Sequence, residues 1–577
     1  MKIIKIFIPL IFLTCISYSK SLVNPFASSD ARKGGMLVLH TSEFPKSFNL
    51  YVNNAADAAL VFGLVYDSLL DIHPLTLEFI PLIADSWKVS ADKKVFTFHI
   101  DRKAKWADGR PITARDVLFT YDTIMDTNNM TSVQRLFLSR FDRPEILDDY
   151  TIRFKASTVH YNNLVTLAGL NILPEHLYRG KDFNKSFNMK LPGSSGPYEL
   201  TDVKEGRYYE LTRRDDYWAD VLPYRQGMYN FKKLRFKVIR DDKVAFEAFK
   251  KGDFDVFTDI SPKRWVTETD SEKFANNWII KQKVYNYAPR GIRGFAINMR
   301  KKIFQDIRVR KALFMLLDRK TILEKIMYNQ MTPLYSYFPG LGGSKPYNEI
   351  INYNPERAKK LLREAGFTTL DKEGYLINSR GERLEFTISS VADETMEKVL
   401  TLFSDSCKKA GIKVNIDTVS WATLIKKLDN YDFDLVSIGW TGTLFPDPEQ
   451  LWHSRHANEI GGSNLSGYKN KKVDSLINSL PPIFNAEQRL KIIIVIDKLI
   501  YKDVPYILFW GADYIRIFYK NCFGKPKTVF SKYGGTSDVI AYWWYEEEKV
   551  KRLREAERKK EPLPQEEVEV FYDRNVK

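Results

Sequence analysis

The sequence predicts an α/β protein, because strand-like and helix-like segments alternate along it. Residues 36–41 have the pattern of a strand, and a helical pattern follows over residues 57–70. Residues 94–100 again have the pattern of a strand, and a helix is predicted to begin at Thr113. Repeated strand-to-helix order of this kind is typical of α/β folds.

The second of these units is predicted in most detail. Phe96, Phe98 and Ile100 occupy alternate positions, as in a strand with one buried face. Asp108-Gly109 predicts a tight turn after it. Thr113 and Asp116, three residues apart, have the spacing of a capping box and predict the start of the helix.

The composition is that of a folded, water-soluble body. Of the 577 residues, 44% are hydrophobic and 28% are charged, close to the average for globular proteins. The length predicts several folding units or one large two-lobed protein. No internal repeat or low-complexity block is found.

The N-terminus has the pattern of a secretory signal peptide. Lys2 and Lys5 precede an apolar run over residues 6–16, and small residues lead to a predicted cleavage after Ser19. The apolar run is too short to cross a bilayer, which takes about twenty residues. A lipid anchor at Cys15 is the less favoured alternative, because Thr14 before it is larger than usual. We therefore expect a periplasmic protein.

Charge and cysteine content exclude other classes. The net charge is +16, but basic and acidic residues are interleaved along the chain. A nucleic-acid site would need the basic residues gathered on one element, so we expect none. Cys407 and Cys522, the two cysteines after the signal peptide, are expected to be free thiols rather than a disulfide.

A series of short segments in the first half of the chain resembles the sequence signature of a known family. Ser86-Trp87, Phe96-Thr97-Phe98 and the run from Trp106 to Val117 are similar, in that order, to the signature of family 5 extracellular solute-binding proteins, the peptide and nickel class. Further similar segments follow in the expected order at residues 172–177, 193–198, 216–218, 304–313 and 354–367. The resemblance extends over nearly the whole chain after the signal peptide.

This resemblance implies a two-lobed periplasmic-binding-protein fold of type II, the three-domain cluster C arrangement, with a hinge of two strands. The first lobe would comprise residues 33–71, 193–289 and 506–545, with an inserted domain at 73–192. Residues 290–505 would form the second lobe. The charged tail at 546–577 is expected to be a solvated helix followed by a disordered end.

Catalytic motifs are not found in the sequence. It has no serine-hydrolase elbow, zinc-protease motif, Walker loop or dinucleotide fingerprint. His453 and His456 are the only closely spaced histidines, and a metal site there is the less favoured alternative, because no cysteine and only Glu449 and Glu459 lie near them in the sequence. We therefore expect neither an enzyme nor a metal or other cofactor.

The predicted ligand-binding residues lie between residues 411 and 452. Trp421 is predicted to begin a helix, and a strand is predicted to end in Gly439-Trp440-Thr441. In peptide-binding relatives, the matching tryptophans line side-chain pockets and the glycine–tryptophan strand pairs with the peptide backbone. The alternative is that both tryptophans are core residues, as this residue type is mostly buried in any fold.

One position departs from the family pattern. Many relatives carry an aspartate three residues after the matching tryptophan, where it pairs with the peptide's ammonium group, and here that position is Thr443. A buried ammonium needs a carboxylate. Asp447 or Glu449 is predicted to replace it. The run from Pro446 to Trp452 is most similar to the Yej-type branch, associated with oligopeptide and microcin C uptake.

The opposite lobe is expected to contribute backbone groups from the loop at Asn54 and Ala56, by the same resemblance. Together these predictions describe a monomeric protein that captures short peptides and delivers them to the permease of an ABC importer. Two alternatives stay open. One is a nickel- or haem-binding member of the family, and the other is an exported enzyme or assembly factor that reuses the fold.

Overall fold

The structure, a computed structural model, describes residues 23–53, 55–341 and 346–573. The predicted signal peptide and Cys15 lie outside the described residues, as does Asn54. Within the described residues, no helix is both long and apolar enough to cross a bilayer. Cys407 and Cys522 are both free and buried, as predicted.

The chain begins in what we call the first lobe and then enters the inserted domain. The first lobe opens with β1 (Met36–Thr41) and α1 (Ala56–Val65). The inserted domain comprises β2 (Leu70–Ile72), β3 (Phe79–Pro81), β4 (Ala84–Val89), β5 (Val95–Ile100), α2 (Ala114–Met125), α3 (Ser132–Leu138), β6 (Glu145–Asp148), β7 (Thr151–Lys155), α4 (Asn162–Ala168) and α5 (Glu175–Tyr178).

The chain then returns to the first lobe. This stretch comprises β8 (Tyr198–Lys204), β9 (Tyr208–Arg213), β10 (Lys233–Val238), α6 (Asp242–Lys251), β11 (Val256–Phe257), α7 (Pro262–Thr267), α8 (Glu272–Ala275) and β12 (Ile279–Tyr285).

The second lobe follows as one continuous stretch. Its elements are β13 (Ile292–Ile297), α9 (Ile307–Leu316), α10 (Arg319–Lys325), β14 (Thr332–Pro333), α11 (Pro355–Glu364), β15 (Thr369–Leu370), β16 (Leu376–Ile377), β17 (Glu385–Val391), α12 (Glu394–Lys409), β18 (Lys413–Val419), α13 (Trp421–Asp429), β19 (Leu435–Trp440), α14 (Glu449–Trp452), α15 (Lys471–Ser479), α16 (Ala486–Asp503), β20 (Tyr506–Leu508) and β21 (Trp510–Gly511).

The last elements complete the first lobe. They are β22 (Ile515–Lys520), β23 (Phe523–Gly524), α17 (Asp538–Tyr542), β24 (Trp544–Tyr545), α18 (Glu547–Lys559) and β25 (Glu569–Phe571).

Each lobe is built on its own sheets. The first lobe has two four-stranded sheets, β1-β10-β9-β8 and β11-β22-β12-β25, and the inserted domain has the antiparallel sheet β4-β5-β7-β6. The second lobe is centred on the five-stranded sheet β18-β17-β19-β13-β20. Residues 286–291 and 512–514 connect the first lobe to the second, and they form the two-strand crossing expected of a hinge.

The hydrophobic cores follow the same division. One core combines the inserted domain with the first lobe, so these two parts form one packed unit. A separate core fills the second lobe. A smaller aromatic cluster lies under α6 and α7 of the first lobe.

The capping box predicted at Thr113 and Asp116 is confirmed. The Asp116 carboxylate accepts hydrogen bonds from the backbone N–H of Thr113 at 2.9 Å and from its hydroxyl at 3.2 Å, at the start of α2. Asp306 and Asn354 cap α9 and α11. These bonds satisfy backbone N–H groups that a helix leaves unpaired at its first turn.

Two segments differ from the expected domain limits. The sequence places the return to the first lobe at residue 506, whereas Tyr506–Leu508 pairs with β13 and lies in the sheet of the second lobe. All three residues of this strand are buried, so the second core holds it. The expected disordered end of the tail instead contains β25, which pairs in parallel with β12 at Lys283–Tyr285.

Candidate functional site

The predicted ligand-binding segment lies at one edge of the second-lobe sheet. β17 pairs in parallel with both β18 and β19, so these three strands end at the same edge, at Val391, Val419 and Trp440. In open sheets with parallel strands, ligands bind outside the carboxyl ends of the strands. Trp421 follows the end of β18 and Trp440 ends β19, so both predicted tryptophans belong to this edge.

Trp421 is not a core residue. It is the first residue of α13. Ser420 caps this helix, and its hydroxyl accepts a hydrogen bond from the N–H of Thr423. The helix packs Leu424 and Leu428 inward. Trp421 is 56% exposed, so its indole is free to contact a ligand.

Trp440 is held more firmly. Its ring is partly buried against the second core, and its indole Nε1 donates a hydrogen bond to the Tyr506 hydroxyl at 3.1 Å. Burial raises the pKa of Tyr506, so this hydroxyl stays protonated. The ring therefore has a fixed orientation at the end of the strand, whereas the following Thr441 and Thr443 are exposed.

The strand that ends in Trp440 has one open edge. β13 pairs with β19 as far as Trp440, opposite Ile292, whereas β17 pairs with it only at Leu435 and Val436. Within the described strands, the edge of residues 437–440 that faces β17 therefore has no ladder partner. Such an edge can take up an extended peptide by main-chain hydrogen bonding.

Glycines bring this strand close to the hinge. A Cβ added to Gly291 would lie 1.8 Å from the carbonyl oxygen of Trp440, and one added to Gly442 would lie 2.5 Å from that of Arg290. Side chains at these positions would force the backbones apart. The end of β19 is thus held directly against the connection between the lobes, on the side opposite its open edge.

Asp447, predicted to meet the peptide ammonium, faces the inserted domain. Its Oδ2 accepts a hydrogen bond from Asn162 Nδ2 at 3.2 Å, and its Oδ1 accepts one from the N–H of Glu449 at 3.1 Å. Burial raises the pKa of Asp447, and nearby His160 and Arg140 oppose this rise. A positive charge and an amide donor already lie beside this carboxylate.

Glu449 also has partners of its own. It is the first residue of α14, and its Oε1 pairs with the Arg455 guanidinium and lies 3.5 Å from Nε2 of His456. His453 and His456 have ring centroids 6.4 Å apart and separate acidic partners. Within the described ranges, no three His, Cys, Asp or Glu side chains form a group that could hold a metal ion.

The first-lobe loop is only partly described. Ala56 is exposed at the start of α1, and the side chain of Asn53 donates a hydrogen bond to the carbonyl of Ser47 at 2.7 Å. Asn54 lies outside the described residues. The residues that sequence reasoning missed are Arg140, His160, Tyr161 and Asn162 of the inserted domain. No local pattern marks them, because their partners lie far along the chain, 285 residues away in the case of Asn162 and Asp447.

Comparisons with known proteins agree with this architecture. The profile of "Bacterial extracellular solute-binding proteins, family 5 Middle" matches residues 78–462. A relative described as "Probable peptide-binding protein YejA" from Agrobacterium fabrum is 27% identical over 570 residues, which is 90% of this chain and 90% of the relative.

Two solved structures share the fold. The oligopeptide-binding protein AppA from Bacillus subtilis, in complex with a nonapeptide, has a TM-score of 0.73 at 24% identity, covering 89% of this chain and 99% of AppA. DppA from Helicobacter pylori, in complex with the peptide STSA, has a TM-score of 0.72 at 21% identity, covering 89% of this chain and 99% of DppA. The predicted two-lobed periplasmic-binding-protein fold is therefore confirmed, and the chain belongs to family 5 of the bacterial extracellular solute-binding proteins.

Proposed function

We propose that this protein captures short peptides in the periplasm and delivers them to the permease of an ABC importer. The open edge of residues 437–440 carries the proposal, because it offers main-chain hydrogen bonding that does not depend on peptide sequence. The fixed Trp440 at the end of this strand and the exposed Trp421 after β18, at the same end of the sheet, give side chains an aromatic surface. The peptide ligands of AppA and DppA support the same class of ligand.

The proposal includes no catalytic step and no cofactor. In this proposal Trp421, Gly439 and Trp440 bind the peptide through aromatic surface and main-chain groups, and none of these three residues is a catalytic nucleophile. We infer a monomer that closes around its ligand by rotation about residues 286–291 and 512–514.

A backbone-directed titration tests the proposal. Trialanine and trialanine N-methylated at its second peptide bond have the same side chains, but the second has lost a main-chain donor. Calorimetry should show micromolar or tighter binding of trialanine and at least about tenfold weaker binding of the methylated peptide. Equal affinity for both would contradict the pairing, and the absence of binding to trialanine and to longer alanine peptides would contradict peptide capture.

Two variants in the second lobe localise the site. Trp421→Ala should weaken trialanine binding several-fold without lowering the unfolding temperature, because the side chain is 56% exposed. Ile460→Ala, another exposed apolar residue of the same lobe, is the matched control and should bind like the wild type. If both variants bind equally well, Trp421 is not in the site.

The partner of the peptide ammonium is a separate part of the proposal. Asp447 and Glu449 follow Trp440 closely in sequence, but each already has cationic or amide partners. Calorimetry on Asp447→Asn and Glu449→Gln decides between them. Loss of trialanine binding in one variant identifies the anchor, and unchanged binding in both removes both residues from this role.

A further inference from the structure

One loop of the inserted domain reaches into the second lobe. The loop runs from β7 to α4 and ends in His160 and Tyr161. Tyr161 is only 7% exposed, and it is the one residue before position 292 that belongs to the second-lobe core as the structure describes it. Because the inserted domain shares its core with the first lobe, Tyr161 links the two halves that the hinge would move apart.

The contacts of Tyr161 come from three separate segments of the second lobe. Its backbone N–H donates to the carbonyl of Pro481 at 2.9 Å, and its hydroxyl donates to the carbonyl of Pro446 at 3.3 Å. The guanidinium of Arg489 lies 4.1 Å from its ring centroid. Arg489 is itself held by hydrogen bonds to the carbonyls of Ile483 and Phe484. The ring is therefore enclosed by a socket whose geometry is fixed from the second-lobe side.

The neighbouring residues extend the contact to the ligand-site loop. Asn162 donates a hydrogen bond to Asp447, and His160 stacks on Tyr161 with ring centroids 4.7 Å apart. Pro446 and Asp447 end the segment that begins at Trp440. The inserted domain thus holds the far end of the loop that carries Thr441 and Thr443.

We propose that Tyr161 and Asn162 form an interlobe latch that holds the two lobes together and positions the loop of residues 441–448 after Trp440. Opening the cleft requires the Tyr161 ring to leave its socket and the Asn162–Asp447 bond to break. The part of this inference that concerns peptide retention rests on the proposed function, and the part that concerns lobe opening does not.

The first experiment measures lobe opening without any peptide. Cysteines introduced at Lys155 of the inserted domain and Lys472 of the second lobe, both exposed, carry spin labels, and the native thiols are buried. Pulsed electron–electron resonance should show one dominant short distance in the otherwise wild-type protein. Tyr161→Ala should raise the ratio of long to short distances by at least about tenfold, because it removes the ring from its socket.

Conservative variants separate the latch from a merely structural role. Tyr161→Phe keeps the ring and loses one hydrogen bond, so its distance ratio should change by less than about threefold. Tyr150→Ala changes a tyrosine of the same domain that contacts Arg102 and not the second lobe, and should leave the distances unchanged. Distances in Tyr161→Ala that match the wild type, or that Tyr150→Ala reproduces, would overturn the latch.

The second experiment concerns retention. In stopped-flow measurements with trialanine, Tyr161→Ala should raise the dissociation rate at least about fivefold without slowing association, because the latch acts on the closed state. In the same measurement, Tyr150→Ala should leave the dissociation rate unchanged, because this tyrosine contacts Arg102 and lies outside the latch. An unchanged dissociation rate contradicts the retention role. If no peptide binds while the distances still shift, the proposed function fails and the latch stands.

Discussion

Gly291 sits where the hinge connection passes closest to the ligand-site strand. A Cβ at this position would lie 1.8 Å from the carbonyl oxygen of Trp440, so the two backbones must separate in any variant. Overpacking of this kind costs about 1–3 kcal/mol. We expect Gly291→Ala to lower the free energy of unfolding by about 2 kcal/mol, and to weaken trialanine binding because the open edge moves.

Gly63 provides the matched control. It lies exposed within α1, and nothing lies within 4 Å of an added Cβ. Gly63→Ala should raise the free energy of unfolding by about 0.5–1 kcal/mol, since alanine favours helix, and should leave binding unchanged. Urea unfolding and calorimetry on both variants make the comparison. Equal binding by the two alanine variants would show that the close approach at Gly291 does not position Trp440.

Asp538 makes the stability of the first lobe depend on pH. Burial raises the pKa of its carboxyl to about 6, against the hydrogen bond that it accepts from the N–H of Ser531 at 2.6 Å. In an unfolded chain the value is about 4. The folded state therefore holds this proton more tightly. The stability contribution is fully present below about pH 4 and is lost as the pH rises towards 6.

Asp538→Asn removes this titration while keeping an oxygen that accepts the same bond. Between pH 4 and pH 7, the free energy of unfolding of the variant relative to wild type should rise by up to about 3 kcal/mol. Urea unfolding of both proteins at the two pH values measures the difference, in which all other titrating groups cancel. A difference that does not change with pH would mean that Asp538 is ionised without cost.

For single residues, the sequence predicts well which ones stand at the ends of strands. It predicts poorly which distant residues their side chains contact. Trp421 and Trp440 could be placed because each stands at the end of a strand pattern, and the structure puts both at one sheet edge. The partner of Asp447 could not be predicted, because Asn162 lies 285 residues away in the sequence. Only the packing of the inserted domain against the second lobe brings them together.

Among the elements, the C-terminal tail departs most from its sequence prediction. Its dense charge predicts a solvated helix, and α18 is that helix, with Val550 and Leu553 buried on one face. The strand β25 was not predictable, since three residues carry little periodicity. It forms because β12 has a free edge with which β25 can pair. The tail is also held by Leu563 and Val570, which are buried in the first-lobe core.

Val570 of this strand and Val568, the residue just before it, give a test with an internal control. Val570 is 9% exposed and Val568 is 42% exposed. Val570→Ala should lower the free energy of unfolding by about 1–2 kcal/mol through lost burial. Val568→Ala should change it by less than about 0.5 kcal/mol. Urea unfolding followed by tryptophan fluorescence measures both, and equal effects would mean that β25 contributes no packed face.

At the scale of the whole molecule, the family resemblance predicts the two lobes and the hinge. It does not predict the contact that Tyr161 makes between the lobes. Resemblance transfers the order of motifs along the chain, and the cores of the two lobes follow from it. The socket for Tyr161 is built from residues 446, 481 and 489. Pro446 belongs to a run that resembles the family, but residues 481 and 489 belong to no motif, so the sequence does not indicate that the three form a socket.

Two contacts between the lobes differ sharply in burial. One is the Tyr161 socket. Another is an ion pair between Lys243 of α6 and Glu394 of α12, 3.8 Å apart, with side chains 81% and 56% exposed. Exposed pairs contribute about 0–1 kcal/mol and are screened by salt, because water competes for both charges. Closure should therefore depend on the buried ring rather than on the charges.

Lys243→Ala should shift the ratio of long to short distances in the spin-labelled protein by less than about threefold. Raising sodium chloride from 50 to 500 mM should have an equally small effect on the wild type. Tyr161→Ala, measured in the same series, should shift the ratio at both salt concentrations alike, because removal of a buried ring is not screened. A large salt effect on the wild type, matched by Lys243→Ala, would mean that surface charge governs closure of this protein.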